Sequence, residues 1–294
     1  MTELVSTIAA LRARLDTDRA AGRRIGFVPT MGYLHDGHTS LIDAAVAADD
    51  VTVVSIFVNP LQFAEGEDLA DYPRDLDADR ARCRTAGADL VFAPSVEEMY
   101  PRPVDTVVTV PATAAPLEGV HRPTHFAGVA TVVAKLFAIV GPCRAYFGAK
   151  DWQQIAVVRR MVADLSIPVD VVACPTVREP DGLAMSSRNV YLSPEERAQG
   201  PALRRALDVG VALVEQGETD PAPIEAAMRQ VLAEATLGTI DYAAAVPADT
   251  LVADGPLVGD VRLLVAVRFG TARLIDNDGA RAGVIDPGNV SPGS

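Results

Sequence analysis

At 294 residues, with 49% apolar and 22% charged residues, the chain has the composition of a folded globular protein and the length of one large domain or two ordinary ones. Its 26 basic and 39 acidic side chains leave a formal charge of −13, which opposes nonspecific attraction to a polyanion and argues against DNA or RNA as the principal partner. A small anionic ligand is not excluded, but binding one requires a local nest of cations and helix ends.

In chain order, Leu4, Ile8, Leu11 and Leu15 fall at helical spacing and predict an amphipathic helix in the first 20 residues, without the basic start and apolar run of an export signal. From residue 25 to about 175, short apolar runs alternate with helical patterns. Strands are expected at 25–30, 51–58, 88–93, 145–147 and 169–173, and helices at 40–48, 75–86, 128–139 and 152–165. Runs of Val and Ile without polar alternation imply strands buried on both faces, hence a parallel sheet covered by helices: a doubly wound, Rossmann-like α/β domain. The most apolar stretch, Phe126 to Val140, is interrupted by Lys135 and falls short of the roughly 20 residues that span a bilayer.

The pattern changes after Pro175. Helices at 194–216 and 221–236 precede strands near 239–246, 261–269 and 272–277, the last two joined through Gly270-Thr271 as a tight hairpin. This predicts a smaller α+β domain over 177–294, acting as a lid on a first domain of residues 1–176, with a Gly- and Pro-rich tail from about 277 that is expected to be mobile. Cys83, Cys143 and Cys174 form no CxxC pair, which fits a reducing cytoplasm, and the sequon at Asn289 reads as a chance match in the absence of an export signal.

Three segments carry chemistry. The first expected strand runs into Met31-Gly32-Tyr33-Leu34-His35-Asp36-Gly37-His38 and then a helix, a place where unpartnered amides and the helix dipole favour an anion. HxGH here is the signature of enzymes that attack the α-phosphate of ATP; the alternative is a pair of histidines that merely cap a helix. A zinc site lacks a third ligand at matching spacing. The second segment, Gly148-Ala149-Lys150-Asp151, again joins strand to helix: Lys150 offers a point cation, Asp151 a helix cap, and Gln154 a polar group one turn on. The third, Met185-Ser186-Ser187-Arg188, looks like the KMSKS-type loop in which hydroxyls and a cation hold a triphosphate.

Together with Ser55 to Phe63, Arg122 to Val129 and Phe147 to Gln154, these segments resemble pantothenate synthetases over roughly residues 2 to 275. The resemblance implies an ATP- and Mg²⁺-dependent ligase that condenses pantoate with β-alanine through pantoyl adenylate and releases AMP and pyrophosphate. It assigns ATP to Met31, Gly32, Tyr33, Leu34, His35, Asp36, Gly37 and His38, to Gly148, Ala149, Lys150 and Asp151, to Val177, and to Met185, Ser186, Ser187 and Arg188. It makes His38 the catalytic proton donor, supported by His35, Lys150, Ser186, Ser187 and Arg188, and puts Gln62 and Gln154 on pantoate, with Gln62 also near β-alanine. Asn59, Arg122 and His125 follow as substrate-side candidates. Protein ligands for Mg²⁺ are not assigned, and a homodimer is implied. Thr124 departs from the glycine that family members often have. Another HIGH-class transferase would explain HxGH and the serine loop but not Gln62, Gln154 and the Arg122 to Phe126 segment; a nonenzymatic nucleotide sensor sits poorly with His38, Lys150 and Arg188 all present.

Overall fold

The computed structural model describes residues 2–63, 69 and 72–283. They form two compact units: the described residues up to 179 with 184–187, and residues 180–183 with 188–283.

The first unit contains β1 (Glu3–Val5), α1 (Ile8–Ala20), β2 (Ile25–Thr30), α2 (Asp36–Ala48), β3 (Val51–Ile56), α3 (Leu76–Thr85), β4 (Leu90–Phe92), the short helices α4 (Val96–Met99), α5 (Pro111–Ala114) and α6 (Glu118–His121), then α7 (His125–Val140), β5 (Cys143–Gly148), α8 (Trp152–Asp164) and β6 (Val169–Cys174). Its six strands pair in parallel in the order β1-β4-β3-β2-β5-β6. Successive side chains of each strand point to opposite faces. Phe27, Val53, Leu90, Phe92, Ala145 and Phe147 therefore enter one apolar layer with Leu11 and Leu15 of α1 and the inner faces of α7 and α8. Their neighbours Val28, Val54, Val91 and Tyr146 enter the other, with Leu41, Ile42 and Ala45 of α2 and Cys83 of α3. Burial on both faces accounts for the unalternating Val/Ile runs, and the doubly wound α/β architecture is as expected.

Going outward from β2 the chain builds β3 and β4 on one side and β5 and β6 on the other. The sheet order reverses between β2 and β5, and in open α/β sheets ligands bind beyond the carboxyl ends of the strands at such a point. Those two strand ends carry the Met31 to His38 loop and the Gly148 to Asp151 turn.

The amino-terminal expectation needs correction. Residues 3–5 form an edge strand in register with Leu90 to Phe92, and helix begins only at Ile8, capped by Thr7. Leu4, counted in the helical stripe, is exposed, whereas Val5 is buried.

The second unit contains α9 (Pro194–Gln199), α10 (Ala202–Glu215), α11 (Pro221–Leu232) and an antiparallel sheet of β7 (Gly238–Pro247), β8 (Gly259–Phe269) and β9 (Ala272–Ala282) in that order. Leu203, Leu207, Ile224, Met228, Leu263 and Val265 are among the side chains of its separate core. The single helix expected at 194–216 is two, because Pro201 has no N–H to continue the ladder and stands at the N-cap of α10. The β8–β9 turn is the expected Gly270-Thr271 hairpin. Residues 277–282, read from sequence as the start of a mobile tail, extend β9 in full register with β8; residues 284–294, Asn289 among them, lie outside the described residues.

Candidate active site

The loop after β2 folds on its own side chains. The Thr30 hydroxyl donates to the Ser55 carbonyl across the sheet (2.7 Å) and accepts from the Gly32 N–H (3.2 Å). The chain then turns through left-handed residues, Gly32 at φ 86° and Tyr33 at φ 53°. The N–H groups of Tyr33 and Leu34 both donate to one buried carboxylate, that of Asp79 on α3, at 2.9 and 2.7 Å.

At the start of α2 the two histidines cap the helix reciprocally, in the manner of a Ser/Glu capping box. The Gly37 N–H donates to Nδ1 of His35 (3.1 Å), and the His35 N–H donates to Nδ1 of His38 (3.3 Å). A ring nitrogen that accepts carries no hydrogen, so each neutral imidazole holds its proton on Nε2. The rings lie 4.1 Å apart between centroids. Gly37 allows this: a Cβ there would stand 2.8 Å from Cε1 of His35, a closer approach than packing tolerates. The helix-cap reading of HxGH thus holds, and because capping occupies only Nδ1 it is compatible with the phosphate reading.

The loop amides are largely committed. The N–H groups of Gly32, Tyr33, Leu34, His35 and Gly37 all donate to side chains, contrary to the expectation that unpartnered amides would make the anion site. The donors left for that role are side chains. Burial, followed by the nearby charge of Lys150, lowers the His35 pKa, and burial followed by His35 pushes His38 down to about 3. Both rings are therefore neutral at physiological pH.

Lys150 and Asp151 act electrostatically on both histidines, which places the β5 turn in the same site. Lys150 Nζ is 3.7 Å from an Asp151 carboxylate oxygen. Asp151 occupies the N-cap position of α8, but its side chain makes no capping hydrogen bond, so the cap expected from sequence is not formed. A Cβ on Gly148 would meet no atom within 4 Å, so the space at the end of β5 is open.

Gln62, 9% exposed, ends the 3₁₀ turn Pro60–Gln62. Its Oε1 accepts from Asn59 Nδ2 (3.2 Å), while its Nε2 lies 2.9 Å from Sδ of Met31, joining the turn to the histidine loop. Asn59 is buried and committed to protein partners: Nδ2 donates also to the Gly128 carbonyl, and Oδ1 accepts from the Leu61 N–H and from the Tyr100 hydroxyl at 2.9 Å. Arg122 and His125 both meet the Gln62 carbonyl, at 3.3 and 3.1 Å. Thr124 starts α7 without a side-chain cap.

Gln154 lies on the first turn of α8 and is partly buried; its neighbour Gln153 is buried and holds the 113–118 segment through Thr113, Pro116 and Glu118. In the third segment the Met185 N–H donates to the Val177 carbonyl (3.0 Å), and Arg178 bridges Ala184. Ser186 and Ser187 belong to the first unit and Arg188 to the second.

The structure thus brings His35, His38, Lys150 and Asp151 into one electrostatic group, and Met31, Asn59, Gln62, Arg122 and His125 into one hydrogen-bonded group that meets it at Met31. Asp79 and Tyr100, which support the two groups, are not apparent from sequence. The only sequence sign is that Asp79 shares a helix face with Cys83, four residues on.

A family model described as pantoate-beta-alanine ligase matches residues 3–278. The pantothenate synthetase of Agrobacterium fabrum is 55% identical over 275 residues, 93% of this chain and 94% of that protein; that of Geobacillus kaustophilus is 52% identical, covering 93% and 91%. Among solved structures, pantothenate synthetase from Thermus thermophilus superposes with a TM-score of 0.88 at 52% identity, covering 94% of this chain and 99% of that one. The pantoate-beta-alanine ligase of Francisella tularensis, described as complexed with beta-gamma ATP and beta-alanine, gives 0.76 at 31% identity over 95% and 97%. Likeness of this extent, over both units, shows that the chain belongs to the pantoate-β-alanine ligase, or pantothenate synthetase, family of enzymes.

Proposed function

We propose that this protein condenses (R)-pantoate with β-alanine at the cost of ATP, forming pantoyl adenylate first and releasing pyrophosphate, then pantothenate and AMP. The observation that carries the proposal lies at Met31: its Sδ accepts from Nε2 of the buried Gln62, so the loop proposed to receive the phosphates is hydrogen-bonded to the residue proposed to receive pantoate.

In the first step a pantoate carboxylate oxygen bonds to the α-phosphorus as the bond to the pyrophosphate oxygen breaks. No proton moves, so neutral Nε2–H groups suffice: they and Lys150 stabilise charge on the phosphate oxygens as it develops. On this reading His38 donates a hydrogen bond and does not transfer a proton. Ser186, Ser187 and Arg188 would hold the departing phosphates. Gln62 and Gln154 would orient pantoate through amide donors and acceptors without adding a rival charge. In the second step the β-alanine amine attacks the acyl carbon, loses a proton, and AMP departs.

Mg²⁺ would enter as MgATP. Mg²⁺ so bound would keep several waters and would not need a protein cage; among the described residues no three His, Cys, Asp or Glu side chains cluster as one. Among the same residues no helix is long and apolar enough to cross a membrane. The working form we propose is a cytoplasmic homodimer, which sedimentation of the purified protein checks.

The deciding experiment is pantoate-dependent exchange of labelled pyrophosphate into ATP without β-alanine. Exchange that needs pantoate alone supports the two-step route. Exchange that appears only with β-alanine, or ADP as the nucleotide product, refutes it.

A further inference from the structure

We infer that Asp79 is a positioning residue for the nucleotide loop: its carboxylate holds the backbone of Tyr33 and Leu34 so that the imidazoles of His35 and His38 stand ready for the phosphates. This rests on the reading above that the loop receives ATP.

Asp79 is 3% exposed and lies 45 residues from Leu34 in the chain, yet its two oxygens accept from two consecutive loop amides at 2.7 and 2.9 Å. Those amides belong to the stretch where the backbone is left-handed at Gly32 and at Tyr33, a conformation that a residue with a side chain adopts at a cost. A charged acceptor makes hydrogen bonds about twice as strong as a neutral one, enough to hold such a turn. One turn further along α3, Arg82 pairs with Asp36, the first residue of α2, at 3.0 Å. Helix α3 therefore grips both the loop and the helix it feeds. A carboxylate opposes phosphate binding if left unpaired in an anion site; here both oxygens are engaged by the loop, and the consequence is that the Tyr33 and Leu34 amides serve Asp79 and not the nucleotide. Asp79 does not itself reach the reacting atoms.

The test compares wild type with Asp79→Asn, which keeps the shape but replaces one acceptor by a donor facing an N–H. Calorimetry with a nonhydrolysable ATP analogue and steady-state kinetics separate the substrates. Expected is a roughly 10- to 100-fold loss of analogue affinity, with the pantoate KM changed by less than about twofold. Unchanged analogue affinity, or equal losses for both substrates, overturns the inference. Gly32→Ala, whose Cβ would stand 2.9 Å from Asp79 Oδ2, should give the same ATP-selective loss by a second route, and a loss shared by both substrates counts against it. If neither variant folds, amide exchange on wild type decides: Tyr33 and Leu34 should be protected without nucleotide and unchanged when the analogue binds, and rapid exchange without nucleotide overturns the proposal. Failure of wild type to make pantothenate and AMP would sink the functional reading, while the analogue and exchange data would still judge Asp79.

Discussion

The backbone N–H of His35 donates to Nδ1 of His38, and Nδ1 of His35 in turn accepts from the amide of Gly37, so the two side chains proposed to meet the nucleotide also close the first turn of their own helix. A capping role and a ligand role are usually weighed against each other. In an imidazole the two nitrogens divide them.

This geometry predicts a pH response. His38, at about 3 through burial and its neighbour, should keep the Nε2–H tautomer from pH 8 down to pH 5, visible in imidazole ¹⁵N shifts. Activity should show no inflection near 6.5, the ordinary histidine value, on its account. The sign for stability follows from linkage: between about 6.5 and 3 the unfolded chain binds a proton that the folded one refuses, so stability falls as pH drops through that window and is unaffected above it. A His38 that titrates near 6.5 in the folded protein contradicts the arrangement.

Lys150→Ala should cut pyrophosphate exchange by on the order of 100-fold or more, the usual effect of losing a positioned donor to transition-state charge. Its ion pair with Asp151, half-exposed and 3.7 Å away, is worth little to stability. Near-normal turnover in the folded variant would remove Lys150 from the phosphate site.

Gln62→Ala should raise the pantoate requirement, at a cost of roughly 1 to 3 kcal/mol for an unpaired polar group in a closed pocket, with ATP affinity little changed. Calorimetric titration of each substrate distinguishes the two. A selective fall in ATP affinity would move Gln62 to the nucleotide side.

Tyr100→Phe tests how Gln62 is aimed. The hydroxyl, kept protonated by burial with its pKa pushed up to about 12, donates to Asn59, whose amide then orients Oε1 of Gln62. Phenylalanine retains the ring that packs on Phe57 and lies beneath Lys135. Losing the hydrogen bond should cost about 1 kcal/mol and raise the pantoate KM severalfold while leaving that for ATP alone. An unchanged pantoate KM would mean that Gly128 and Leu61 suffice to hold Asn59.

What was legible in the sequence is what short stretches of chain decide for themselves. Unalternating runs such as Val51 to Ile56 signal strands covered on both faces, Gly270-Thr271 signals a hairpin, and HxGH at the junction of strand and helix signals a place where helix geometry and side-chain donors coincide. Even the resemblance that implied the chemistry lay in contiguous motifs. The errors have local causes too: three residues are too few for Glu3–Val5 to declare a strand against a misleading helical spacing, and Asp276 to Ala282 lacks the apolar alternation that would reveal pairing with β8. Only the tertiary structure decided the rest, because it depends on groups distant in sequence. Sheet order sets β2 beside β5 and so brings Lys150 to His35; Asp79 reaches the loop from α3, and Tyr100 reaches Asn59 from the end of α4. The protonated nitrogen of each histidine is likewise a product of folding, since it follows from which backbone N–H the other nitrogen meets.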